Sequence, residues 1–196
     1  MPPPTCARRR AQVTVQTTTA TNGQIHAERL VLRPIRQSDT GMLRLYASDR
    51  RVAEGTRSIP HPLPPGATEA FVERACANPQ DESVWIMDGT AHGSAEVIGI
   101  ISVKPLDRGQ NQIGYWVAPA FWNTGYASEA LRAIIAANPL QARTLFAEVF
   151  QDNPVSARVL TNCGFEYLGD AEAFSVARGA AVPTWTYIRK MEPAQS

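Results

Sequence analysis

The order of periodic segments in this chain predicts an α+β fold, a mixed and mostly antiparallel sheet with helices on both faces. Three observations carry that expectation. The runs "SVWIM", "AEVIGIISVK" and "QIGYWVAP" are rich in β-formers and are joined by the Gly- and Pro-containing connections "DGTAHGS" and "PLDRGQN", which predicts an antiparallel meander. Two helical stretches then alternate with the strand "RTLFAEVF". With 196 residues and 44% hydrophobic content, the chain is long enough for one core, so residues 25–196 read as a single domain.

The elements follow in order. Residues 1 to about 24 hold a Pro triplet, an Arg triplet, many Thr and no acid, so a disordered extension is expected, with a transit peptide as the weaker reading. "ERLVLRPI" sets Leu30, Leu32 and Pro34 against Val31, Arg33 and Ile35 as a first strand, after which Ser38 offers an N-cap to the helix "DTGMLRLYAS". Pro60, Pro62, Pro64 and Pro65 forbid a continuous helix, so that segment is a surface loop. "GATEAFVERACAN" spaces Ala70, Phe71, Ala75 and Cys76 helically. The meander comes next, then a helix from Ala127 to about Asn138, the strand "RTLFAEVF", a helix through "NPVSARVLTNC", and last strands around "FEYLGD" and "PTWTYIRKM". The sum is β-α-α-β-β-β-α-β-α-β-β.

Charge and composition exclude several classes. The formal net charge is +1 with no long like-charge block after residue 10, which gives nucleic acid or anionic lipid no general attraction. Cys6, Cys76 and Cys163 are widely spaced and form no CxxC pair, against both a disulfide framework and a zinc site, and they suit a reducing cytoplasm. No apolar run approaches the ~18 residues of a membrane span. His26, His61 and His92 fall in loops or the tail, where solvated positions are commoner than metal ligation.

Two stretches carry chemistry. In "YWVAPAFWNTGYASEALRAI" a strand breaks at Ala118-Pro119 and a helix restarts after Gly125. A helix start presents unpaired N–H groups and the positive end of the macrodipole, an anion site, and Asn123, Thr124 and Ser128 add side-chain donors. Gly125 permits close backbone approach and Ala127 keeps bulk away, although an ordinary tight turn accounts for the same residues. In "NPVSARVLTNCGF", Asn153 is a good N-cap, Pro154 sits at the first helical position and Gly164 suits the left-handed C′ position, all of which a plain helix explains. Ser156, on the early turn, is explained less well.

Together, "ERLVLRP", "IGYWVAPAFWNTGYASEALRAI" and N-x-x-S-x-x-x-L-x-x-x-G-F resemble the GNAT acetyltransferase superfamily, in particular its ribosomal-protein N-terminal (RimJ/RimL-like) branch, over roughly Ala27 to Met191. The resemblance implies the GNAT-like acyl-CoA N-acyltransferase fold and acetyl-CoA as cofactor. It places Trp122, Asn123, Thr124, Gly125, Tyr126, Ala127 and Ser128 at the pyrophosphate. Tyr115, Trp116 and Val117 would run along the pantetheine where the fourth and fifth predicted strands part, with Asn153 and Ser156 near the pantetheine or sulfur. A homodimer is compatible with it.

For direct transfer of acetyl to an amine, the resemblance makes the Val117 amide the oxyanion donor. Many family members protonate the leaving thiolate from a tyrosine at the position that is Leu160 here, which leaves Ser156, or a water it holds, as the acid. The carboxylate often found two residues before the Gly-Tyr pair is replaced by Gln112, so Glu148 is the remaining candidate base, against its reading as the cross-strand partner of a surface Arg. Cys163, beside the helix-ending Gly164, reads as a packing thiol rather than a nucleophile. A lysine amine is only about 0.1% neutral at cytosolic pH, roughly 4 kcal/mol from its reactive form, whereas an α-amine loses under ~1 kcal/mol. A site poor in bases therefore points to an α-amine of a protein or peptide N-terminus. A small-molecule amine is the alternative, and a CoA-binding regulatory module with little turnover is a third reading. The loops Pro60 to Pro65 and "SVARGAAVP" are where acceptor choice is expected to lie.

Overall fold

The computed structural model describes residues 23–192. Most of the expected N-terminal extension lies outside the described residues, but Gly23 and Gln24 belong to the folded part, and the Trp85 indole donates to the Gly23 carbonyl at 3.0 Å.

Eight strands form one sheet in the order β1-β2-β3-β4-β5-β6-β8-β7. They are β1 (Ile25–His26), β2 (Val31–Pro34), β3 (Ser83–Asp88), β4 (Gly99–Pro105), β5 (Gln110–Val117), β6 (Thr144–Phe150), β7 (Glu166–Ser175) and β8 (Ala180–Lys190). Five α-helices accompany them among the described residues: α1 (Thr40–Ala47), α2 (Arg50–Glu54), α3 (Ala67–Ala77), α4 (Tyr126–Ala137) and α5 (Pro154–Asn162). The meander β2 to β5 is antiparallel as expected, and among the described strands β5 and β6 pair in parallel, joined by the α4 crossover. The strand β1 and the helix α2 were not expected. β1 is two residues long and α2 five, too short to display a period.

Alternation sorts the strand residues between two cores. Leu32, Met87, Ile101 and Leu145 face Leu131 and Ile134 of α4 and Leu160 of α5, whereas Val84, Ile86 and Ile100 face Leu43 of α1 and Val72 of α3. Helices thus cover both faces.

Several local expectations are corrected. Ser38 does not cap α1: it lies in a 3-10 turn, Gln37–Asp39, and the buried Asp39 carboxylate accepts from the Arg36 amide at 2.8 Å. Arg33 is buried while Pro34 is exposed, because the Arg33 guanidinium is bonded to Asp39 and Asp88, each at 2.8 Å, and this pairing makes its burial tolerable. On α3 the buried positions are Thr68 and Val72, with Phe71 and Ala75 half-buried; Ala70 and Cys76 are exposed. α4 starts at Tyr126 and stops at Ala137, where Asn138 takes the left-handed conformation with φ 38°. His26 lies in β1 and His92 in a 3-10 turn, not in open loops.

Candidate active site

β5 and β6 pair only through Gln110–Gln112 and Thr144–Phe146. Beyond Gln112 the strands part, and β5 continues alone on that side while keeping β4 on the other. The Ala118 amide donates to Ile98 of the β4 side at 2.9 Å, so by strand alternation the Tyr115 and Val117 amides face the opened gap. The carbonyl of Val117 accepts from the Trp122 indole at 2.6 Å, which ties the end of the strand to the loop beyond it.

That loop delivers the chain to α4 through two left-handed residues, Asn123 with φ 61° and Gly125 with φ 86°. Gly125 is the N-cap, so no side chain caps the helix, and the first backbone bond there is Glu129 to the Gly125 carbonyl at 3.0 Å. Among the described residues, none of the amides from Asn123 to Ser128 donates to a protein acceptor. This uncapped crown of N–H groups at a helix N-terminus suits a diphosphate. Thr124 differs from expectation in one respect: its hydroxyl already donates to Phe121 at 2.6 Å, so its backbone amide is the donor it can offer an anion.

Sequence reasoning missed the cation beside this crown. Arg29 donates from Nε to Glu129 Oε2 at 2.8 Å and from Nη1 to the Thr124 carbonyl at 3.1 Å, and it stacks on the Tyr126 ring at 4.6 Å. Arg51 lies over the Trp122 ring at 5.3 Å. Glu129 is buried in the first turn of α4, and a buried carboxylate demands a partner; the partner lies 100 residues away, where no local pattern reaches.

On the other side of the gap stands α5. The Asn153 side chain accepts from the Ser156 amide at 3.2 Å, Pro154 occupies the first turn, and Gly164, with φ 78°, closes the helix as expected. Ser156 Oγ lies 3.0 Å from the Tyr115 phenol, a contact between β5 and α5 that was not anticipated. Burial raises the Tyr115 pKa above the ordinary phenol range, with the Ser156 hydrogen bond pulling weakly the other way. Cys163 is buried; burial raises its thiol pKa against the pull of Arg132 and Arg189, and the thiol approaches the Ser128 carbonyl at 3.6 Å. That is the environment of a packing thiol, not of an activated nucleophile.

A cavity of about 740 Å³ opens on the opposite face of the sheet and reaches Tyr115. Its floor includes Gln112, Gly114, Trp116 and Glu148, its roof Phe71 and the Pro60–Leu63 loop, and its side Phe174 and Val176 at the tip of the β7–β8 hairpin. The hairpin is held there by Val176 bonding to Arg57 at 3.0 Å and by Arg178 reaching the Glu54 carbonyl. Glu148 is not paired across the strands to an arginine; it meets Arg57 from the loop after α2, and Gln112 Nε2 lies 3.4 Å from the same carboxylate. The hydroxyls of Thr68 and Thr184, both buried and both lining the cavity, have no hydrogen-bond partner among the described residues. Trp85 and Trp185 pack in the core instead of lining this cavity.

A parted strand pair, an uncapped helix crown at one end and a cavity at the other form a cleft with an anion-suited end and room for a second molecule. The acetyltransferase (GNAT) domain profile matches residues 29–166, and the chain belongs to the GNAT acetyltransferase family, as an acetyl-CoA-dependent N-acyltransferase. It is 25% identical over 178 residues to the uncharacterized N-acetyltransferase p20 of Bacillus licheniformis, covering 83% of this chain and 93% of that one. Its fold is similar to that of RimL, a ribosomal L7/L12 α-N-protein acetyltransferase solved with coenzyme A, with a TM-score of 0.75, 18% identity, and coverage of 86% and 98% of the two chains. The microcin C7 self-immunity acetyltransferase MccE, solved with acetyl-CoA and AMP, aligns at a TM-score of 0.71 with 15% identity over 84% of this chain and 93% of its own. No helix of the described residues is long and apolar enough to cross a membrane.

Proposed function

We propose that the protein acetylates an α-amine at a protein or peptide N-terminus, with acetyl-CoA lying in the β5–β6 gap. The amides of Asn123 to Ser128 would hold its diphosphate, the exposed edge of Tyr115 to Val117 its pantetheine arm, and the Val117 amide the carbonyl oxygen as it gains charge. The acceptor enters from the cavity. Its amine nitrogen bonds to the carbonyl carbon, the carbon–sulfur bond breaks with its electron pair on sulfur, and the nitrogen releases its proton to Glu148 or to water.

The observation that carries the acceptor assignment is the poverty of this cavity in bases. Glu148 is its carboxylate nearest the gap on β6, and it is engaged by Arg57 and Gln112. Such a site accelerates amines that are already substantially neutral, which α-amines are and lysine side chains are not. The cavity volume favours a second reading, since about 740 Å³ also suits a small-molecule amine. A CoA-binding role without turnover is the third reading, and the cytoplasm is the proposed location.

Thiol release from acetyl-CoA, measured over free-N-terminus peptides, Nα-blocked lysine peptides and small amines, tests the assignment. Release with the first group and none with the second is the expected result. Release only with lysine peptides overturns it, release only with small amines selects the second reading, and none with any amine selects the third.

A further inference from the structure

Tyr115 and Ser156 stand 41 positions apart, yet their hydroxyls meet at 3.0 Å where β5 leaves β6 and α5 begins. The phenol oxygen also lies 3.2 Å from the Ser156 carbonyl. A phenol has one proton and each of these contacts needs one, so the pair has two polarities. If the phenol donates to the carbonyl, Ser156 must donate to the phenol and shows only lone pairs to the gap. If the phenol donates to Ser156 Oγ, the serine proton is free to point into the gap. A departing thiolate accepts hydrogen bonds and donates none, so it selects the second arrangement.

Resting on the placement of acetyl-CoA proposed above, we infer that Tyr115 is a positioning residue that fixes the donor polarity of Ser156, and that the dyad stabilises the leaving thiolate by hydrogen bonding without surrendering a proton to it. Magnitudes disfavour an acid role for the phenol. An ordinary phenol titrates near 10 and a thiol near 8.5, so passing the phenol proton to the thiolate is disfavoured by about thirty-fold before burial is counted. Burial raises Tyr115 further and widens that gap. The amine's proton reaches the sulfur by way of water after the carbon–sulfur bond has broken, and Ser156 and Tyr115 keep theirs. The other titratable group bearing on this contact is Cys163, whose thiol pKa is raised by burial.

The thiol of enzyme-bound CoA reports on this directly, because donors aimed at the sulfur lower its pKa. Thiolate absorbance is titrated for CoA bound to the wild-type protein and to the variants Tyr115→Phe, Ser156→Ala and the double variant. The expected result is a bound thiol about tenfold more acidic than free CoA in the wild type, most of that shift lost in either single variant, and no further loss in the double variant. A wild-type thiol no more acidic than free CoA, an unshifted Tyr115→Phe value, or losses that add in the double variant overturns the inference. If CoA does not bind the wild type, the site assignment itself fails instead. Far-UV circular dichroism and thermal unfolding confirm that each variant is folded, and Ser156→Ala alone decides the question should Tyr115→Phe prove unstable.

Discussion

Arg29, just before β2, reaches the buried carboxylate of Glu129 in the first turn of α4, with Nε 2.8 Å from Oε2, and so ties one end of the sheet to the helix that opens onto the gap. The same guanidinium bonds to Thr124 and stacks on Tyr126, so it supports the loop at three points. It also balances the Glu129 charge at the helix start where the diphosphate is proposed to lie.

Arg29→Met is therefore expected to lower stability by about 1–3 kcal/mol, less than loss of a fully buried pair because the arginine is 42% exposed, and to weaken CoA binding about tenfold. Adding Glu129→Gln should recover most of the stability. Urea denaturation and calorimetric titration with CoA measure the two effects, and a double variant no better than Arg29→Met would show that charge balance is not the cause.

Gly125 holds φ 86°, and a Cβ there would stand 3.4 Å from Arg29 Nη2. Gly125→Ala is expected to cost about 1–2 kcal/mol in backbone strain and to weaken CoA binding by tenfold or more by tilting the amide crown. Equilibrium binding checks this; unchanged affinity would place the diphosphate elsewhere.

Glu148→Gln leaves the diphosphate loop untouched and removes the carboxylate that Arg57 engages. The KM for the amine should rise about tenfold while the KM for acetyl-CoA stays within about twofold. The reverse pattern would place Glu148 on the CoA side.

The pH dependence follows from the acceptor. With an α-amine titrating near 7.7–8.0, kcat/KM for the amine is expected to rise with pH as the neutral form accumulates and to level off above about pH 8.5. A profile still rising tenfold per unit at pH 9 would indicate a lysine-type amine.

Gly99 of β4 pairs with Val117 of β5, and a Cβ at that position would lie 2.2 Å from the Trp116 carbonyl oxygen and 2.8 Å from Val117 Cα. Both neighbours are backbone and have no way to yield. Gly99→Ala is expected to displace the end of β5 and lower stability by about 3 kcal/mol or more, visible as a Tm drop of several degrees, with activity falling further than stability because Val117 moves.

Local order was legible in the chain itself. Periodicity and turn residues marked the meander, α1 and α3 to α5, and the "NTGYA" and "NPVS" stretches marked the two helix starts, because hydrogen bonds that close within a few residues leave their imprint on neighbouring side chains. What fell to the tertiary structure were the pairings of distant residues. Arg29 with Glu129, Tyr115 with Ser156, Arg57 with Glu148 and Arg33 with Asp39 and Asp88 join elements whose approach is set by packing on the sheet, and nothing local to one partner encodes the other. The gap itself is of that kind. β5 reads as one continuous strand, and only the divergence of β6 after Phe146 frees the Tyr115 and Val117 amides, since sheet twist and the α4 crossover decide where two parallel strands separate.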